Sequence, residues 1–165
     1  MKTNRGKFRI GILTYNKPHK KTQDVISGLY KIGYKNLKLI INKFKIYKNN
    51  KSNILFNHRP HQFEGLSFKK IAKFYNLKIV NLENKKCFDN LDVILICGSG
   101  IIKKKIIRKN FIINCHSGLI PMRRGLDSFK WAIYNKEKIG NTLHYIDHQV
   151  DYGKIISHKI TPIFK

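Results

Sequence analysis

Asn114, His116 and Asp151 are the residues whose types could do chemistry together. Phe111-Ile112-Ile113 is an apolar run that ends in Asn114-Cys115-His116, followed by the small pair Ser117-Gly118 and then Leu119-Ile120-Pro121. This reads as a buried strand that stops and delivers polar side chains at its carboxyl end, the place where open α/β sheets bind ligands. Asp151 follows in the turn-like segment Asp147-His148-Gln149-Val150-Asp151-Tyr152-Gly153, beyond one helix and one strand. An amide donor, an imidazole and a carboxylate are a set suited to acyl transfer: one polarises a carbonyl oxygen, and the others manage charge and protons. Cys115 lies between two of these residues, so strand alternation turns it to the opposite face. With no evident base partner, it is not read as a nucleophile.

The elements that must position this set follow from periodicity. Lys7 to Tyr15 is β-rich and apolar, a central first strand. Thr22 to Ile32 places Val25, Ile26, Leu29 and Ile32 on one helical face, with Thr22 as its cap. Leu37 to Ile41 is a second strand, and strand–helix–strand predicts a right-handed parallel unit. Ser67 to Tyr75 reads as an amphipathic helix capped by Ser67, Leu77 to Asn81 as a short strand, and Asp92 to Cys97 as a buried strand running into Gly98-Ser99-Gly100. A short basic helix is expected over Lys103 to Lys109. A helix opens at Asp127-Ser128, with Trp131 assigned to the core and Tyr134 available for packing. Strands are expected over Gly140 to Ile146 and Lys154 to Ile163. Residues 42–66 are least regular; Phe56 to Gly65 is dense in polar and aromatic groups. There Arg59 could clamp a phosphate or carboxylate bidentately. The fold class expected is α/β, a Rossmann-like, mostly parallel sheet flanked by helices, with 1–165 as one catalytic domain.

Composition sets outer limits. The 165 residues suffice for one domain with a real core, and 42% hydrophobic content argues against disorder. No apolar run reaches membrane-spanning length, and the amino terminus lacks the form of a signal peptide. Three cysteines, Cys87, Cys97 and Cys115, have no metal-type spacing and read as reduced thiols of a cytoplasmic protein. No metal site is expected; His58 and His61 lack further ligands. The net charge of +25 comes from 34 basic and 9 acidic residues. It admits nucleic acid or another anionic partner, but lysine is spread along the chain in company with abundant Asn and Ile, as biased codon usage would produce.

Asn114-Cys115-His116-Ser117-Gly118-Leu119-Ile120-Pro121, then Arg124-Gly125, Trp131-Ala132-Ile133, Gly140-Asn141-Thr142-Leu143-His144 and Asp151-Tyr152-Gly153, in this order and spacing, resemble the folate-dependent formyltransferase family. The match runs over roughly residues 90 to 158. The resemblance implies transfer of a formyl group from 10-formyltetrahydrofolate, a co-substrate, to a primary amine, with Asn114, His116 and Asp151 catalytic. It implies that Gly98, Gly100, Ile101 and Asp147 bind the folate. Arg59, Arg124 and Gly125 are expected on the acceptor. His144 is read as structural or as a supporting neighbour of the site.

The Gly/Ser-rich turn that holds the acceptor's phosphate in purine-pathway relatives is replaced here by Thr14-Tyr15-Asn16-Lys17-Pro18-His19, which has no glycine. Arg124-Gly125 and Trp131-Ala132-Ile133 look more like the sugar-nucleotide and initiator-tRNA branches. The acceptor expected is therefore a small molecule, a nucleotide-linked amino sugar. Glycinamide ribonucleotide and methionyl-tRNA are the alternatives, with tRNA the less favoured partner. An inactive basic fragment that binds RNA nonspecifically is the reading from a different class, and steep salt dependence without folate affinity would mark it.

Overall fold

The computed structural model describes residues 5–44, 61–107 and 109–162. Arg59, and with it His58 and the centre of the aromatic segment, lies outside the described residues. The chain divides into two compact units: residues 1–92 with 97–100, and residues 93–96 with 101–165.

The first unit begins with a 3-10 turn over Arg5–Lys7 and then β1, Ile10–Tyr15. β1 starts three residues later than the apolar pattern suggests. Arg9 sits at its threshold, where its backbone N–H and its guanidinium both donate to Asp92. α1 covers Lys20–Lys31, β2 Leu37–Asn42, α2 Phe68–Tyr75 and β3 Lys78–Asn81. The strands pair in parallel in the order β3-β2-β1, with Ile12 beside Leu39 and Leu39 beside Ile79. Ile12, Leu13, Leu39 and Ile40 are fully buried, the near-continuous apolar runs that a parallel sheet covered on both faces requires.

α1 starts two residues earlier than expected, and its cap is not Thr22. His19 occupies the N-cap without a side-chain capping bond to a helix backbone N–H, and Thr22 sits buried inside the first turn. There its hydroxyl bonds to Thr14 Oγ1 and His19 Nδ1, a tertiary use that outcompetes capping. Ile26 is buried as expected, but Ile32 is exposed at the helix end. α2 behaves as its sequence says: Ser67 Oγ accepts from the Lys70 N–H at 3.3 Å, Ile71 and Ala72 are buried, and Asn76 closes the helix in the left-handed region.

The second unit holds β4 (Val93–Ile96), α3 (Lys104–Ile107), β5 (Ile112–His116), α4 (Ser128–Tyr134), β6 (Gly140–Tyr145) and β7 (Ile155–Ile160). β4 and β5 are parallel, and β6 and β7 continue the order antiparallel. Ile94 and Ile112 form the centre of its core. Together the strands and helices make the α/β, mostly parallel, Rossmann-like class that the pattern predicted.

Three expectations in this unit are corrected. Phe111 is exposed, because β5 begins at Ile112. Trp131 is not core: it is 55% exposed, and Tyr134 is more exposed still. α4 spans about two turns, and Ser128 and Ala132 supply its buried contact, so the helix turns Trp131 outward. β7 is apolar in composition, but each of its residues is exposed. Among the described residues no helix is long and apolar enough to cross a membrane.

Candidate active site

β5 and β6 build the floor of the site. Asn114 and His116 are two residues apart on β5 and share a face, while Cys115 is exposed on the other. The antiparallel register sets Asn114 opposite His144 and His116 opposite Thr142. Cross-strand partners on one face touch, and here Asn114 Nδ2 lies 3.5 Å from His144 Nε2. His144 and Thr142 are fully buried. The Thr142 hydroxyl donates to the Gly118 carbonyl at 2.7 Å and accepts from the Ile120 N–H at 3.0 Å, anchoring the loop that leaves β5.

Asp151 comes from the turn between β6 and β7. Its backbone is in the left-handed region, at φ 56, a strained conformation for a residue with a side chain. Several contacts hold it there. The Gly125 N–H donates to its Oδ2 at 2.9 Å, and Arg124 Nε donates to its carbonyl at 3.0 Å. Gly153, two residues on, has no room for a side chain: a Cβ there would lie 1.8 Å from the Tyr145 carbonyl oxygen. The carboxylate sits between two imidazoles, with His116 Nδ1 3.4 Å from Oδ2 and His144 Nε2 3.5 Å from Oδ1.

Burial pushes the Asp151 carboxyl upward. Hydrogen bonds from His144 and the Gly125 N–H, with the charges of His116 and His144, outweigh burial and hold it below its ordinary value. Asp151 is therefore an anion through the neutral range. His144 donates from Nδ1 to the Tyr145 carbonyl at 2.8 Å, since a carbonyl only accepts. That fixes Nε2 as the nitrogen facing Asn114 and Asp151.

The loop from His116 to α4 closes the site. Gly118 lets it pass: a Cβ there would meet His116 Nε2 at 2.8 Å and Ser128 Cβ at 2.7 Å. Arg123 forks onto Glu137, with Nε donating to Oε2 at 2.6 Å and the second nitrogen to Oε1. Arg124, expected on the acceptor, has its guanidinium 3.9 Å over the Tyr152 ring and donates to the Pro121 carbonyl as well as to that of Asp151. Gly125, expected there too, has φ +79 and gives its N–H to Asp151. Both residues thus tie the β5 loop to the Asp151 turn.

Asp147 lies beside a cavity of about 370 Å³ that Lys104, Ile107, Ile146 and His148 also line. Its Oδ1 accepts from the Gln149 N–H, which shapes the turn. A cavity of this volume with mixed apolar and polar walls suits a small organic ligand. Ile107 and Ile146 are apolar, and Asp147 is a carboxylate that accepts hydrogen bonds, the group types a ring with amino substituents needs. Ile101 is 90% exposed. Gly98 and Gly100 belong to the first unit, where Gly98 packs so closely on Tyr15 that a Cβ would lie 2.5 Å from the ring, and Tyr15 donates its hydroxyl proton to the Ser99 carbonyl.

The structure thus sets Asn114 beside His144, and both His144 and His116 beside Asp151. Sequence reasoning missed Gly118, Ser128 and Thr142 as site-shaping residues. The smallness of Gly118 and the Thr142–His144 alternation were the only signals available.

Comparison with known proteins points the same way. Residues 39–165 match the model of a family described as formyl transferase. The methionyl-tRNA formyltransferase of Wigglesworthia glossinidia brevipalpis is 30% identical over 121 residues, which is 66% of this chain and 38% of the relative. The chain therefore spans well under half the length of that protein. Among solved structures, phosphoribosylglycinamide formyltransferase from Anaplasma phagocytophilum superposes with a TM-score of 0.67 at 19% identity, covering 96% of this chain and 73% of that one. The formyltransferase PseJ from Anoxybacillus kamchatkensis, in complex with UDP-4,6-dideoxy-4-formamido-L-AltNAc and tetrahydrofolate, gives a TM-score of 0.50 at 18% identity, covering 93% and 61%. The two structures share the fold of this chain.

Proposed function

The chain belongs to the formyl transferase family, and from that premise we propose that it moves a formyl group from 10-formyltetrahydrofolate to a primary amine. The observation that carries this reading is the meeting of Asn114, His116 and an ionised Asp151 on one side of β5 and β6. The folate supplies the formyl carbon and, on leaving, accepts a proton at its nitrogen. Asn114 presents amide N–H donors where the formyl oxygen gains negative charge. His116, beside Asp151, places positive charge near the same oxygen when protonated. Asp151 holds an anionic acceptor for the proton that the attacking amine must lose, directly or through one water. The cavity at Asp147 is the place proposed for the folate ring, with Ile101 of the same unit as a proposed neighbour.

The acceptor favoured is methionyl-tRNA. Its support is the sequence similarity to methionyl-tRNA formyltransferases together with the +25 net charge. The second reading is the nucleotide-linked amino sugar, for which the fold shared with PseJ speaks. A cytoplasmic setting accords with both. The test is incubation of the protein and 10-formyltetrahydrofolate with methionyl-tRNA, amino-sugar nucleotides and glycinamide ribonucleotide, read by mass spectrometry. A formyl gain on one acceptor, absent with Asn114→Ala, supports the proposal. No formylated product from any acceptor, in a sample that also fails to bind folate, would overturn it and favour the inactive RNA-binding alternative.

A further inference from the structure

The side of His116 turned away from Asp151 is as tightly organised as the side facing it. His116 Nε2 lies 3.1 Å from the Arg123 carbonyl oxygen and 2.9 Å from Ser128 Oγ. A carbonyl only accepts, so Nε2 carries a hydrogen. Ser128 Oγ lies 2.7 Å from the Gly125 carbonyl, which likewise only accepts, so the hydroxyl proton is committed there. The serine oxygen therefore faces His116 with its lone pairs. Ser128 is 1% exposed, on the buried face of α4.

We propose that Ser128 is the positioning residue for His116: its hydroxyl, oriented by the Gly125 carbonyl, shares the Nε2 hydrogen with the Arg123 carbonyl and leaves Nδ1 aimed at Asp151. A neutral imidazole with its hydrogen on Nε2 would turn a lone pair toward the carboxylate. A hydrogen on Nδ1 would instead point to Asp151 Oδ2, 3.4 Å away. Other charged or titratable groups lie near the His116 ring. His144 meets it edge-on at 6.3 Å between centroids, the Arg123 guanidinium is engaged by Glu137, and that of Arg124 lies over Tyr152. The same Gly125 residue gives its N–H to Asp151 and its carbonyl to Ser128. One peptide-linked residue thus sets both partners of His116.

The consequence for turnover rests on the formyl-transfer reading; the consequence for the imidazole does not. Ser128→Ala removes only the hydroxyl. In 15N-labelled protein, with His116→Gln for assignment, long-range proton–nitrogen spectra across pH should show Nε2 protonated throughout in the parent. In S128A, with one acceptor at Nε2 lost and the Arg123 carbonyl kept, the Nε2 proton–nitrogen signals should shift and broaden as the ring loses its fixed orientation. The kcat–pH profile should shift, with kcat down about tenfold or more and KM for the acceptor little changed. Ser128→Thr should restore the parent signals. Unchanged His116 signals in S128A would overturn the proposal. Should S128A not fold, S128T must keep the parent signals, and their loss would overturn it equally. Moved signals in a protein that formylates no acceptor would uphold the role of Ser128 while sinking the formyl-transfer reading.

Discussion

Asp151 is the residue on which the site turns. It accepts from one backbone N–H, faces two imidazoles, and adopts a backbone conformation that a residue with a side chain enters only under compulsion. Its carboxyl is held below the ordinary value of 3.8, so its contribution to stability is complete above that value and is lost as pH falls through the lower folded value. Urea unfolding of the parent and Asp151→Asn at pH 6 and pH 3 should therefore show a stability gap that narrows at the lower pH; an equal gap at both would refute the assignment. In steady-state assays Asp151→Asn should lose about 10²–10⁴-fold in kcat through lost proton handling. Asn114→Ala should lose about 10²–10³-fold through the missing donor. Circular dichroism should be unchanged in both, and a variant with parent turnover would remove that residue from the mechanism.

At the level of elements, glycines decide where the chain can pass. The Asp151–Gly153 turn runs against the end of β6, and Gly153→Ala would drive a methyl into the Tyr145 carbonyl. It should destabilise by about 1–3 kcal/mol or more and displace Asp151, so Tm and kcat should fall together. Gly28, inside α1, is the contrast. Nothing lies within 4 Å of its would-be Cβ, so Gly28→Ala should stabilise by about 0.5–1 kcal/mol without touching turnover. Thermal melts of the two variants moving in the same direction would contradict this reading of the packing.

For the molecule as a whole, the dominant quantity is its charge. With 34 basic residues against 9 acidic, the proposed tRNA acceptor predicts binding of methionyl-tRNA that weakens by roughly a hundredfold or more between about 50 and 200 mM salt. Folate binding should change far less. The single tryptophan, Trp131, lies exposed on α4, so an extrinsic label on the tRNA is the safer readout and Trp131 quenching a secondary one. An affinity for tRNA independent of salt would argue for a compact acceptor such as an amino-sugar nucleotide.

What the sequence by itself determined was local and periodic. Apolar runs placed β1, β2, β4 and β5 to within a few residues, Ser67 announced α2, and alternation along β5 put Asn114 and His116 on one face with Cys115 on the other. The order of short motifs marked the three site residues and the family. What only the tertiary structure decided was long-range. The β5–β6 register made His144 a neighbour of Asn114 and Asp151. The loop closed by Arg123 and Glu137 turned Ser128 onto His116. Gly125 and Arg124 came to grip the Asp151 turn, and Trp131 faced outward, because Ser128 and Ala132 filled the buried side of α4. A sequence pattern records which faces are apolar, but not which distant backbone carbonyl will occupy the far nitrogen of a histidine. That depends on loop closure, and loop closure is a property of the folded chain.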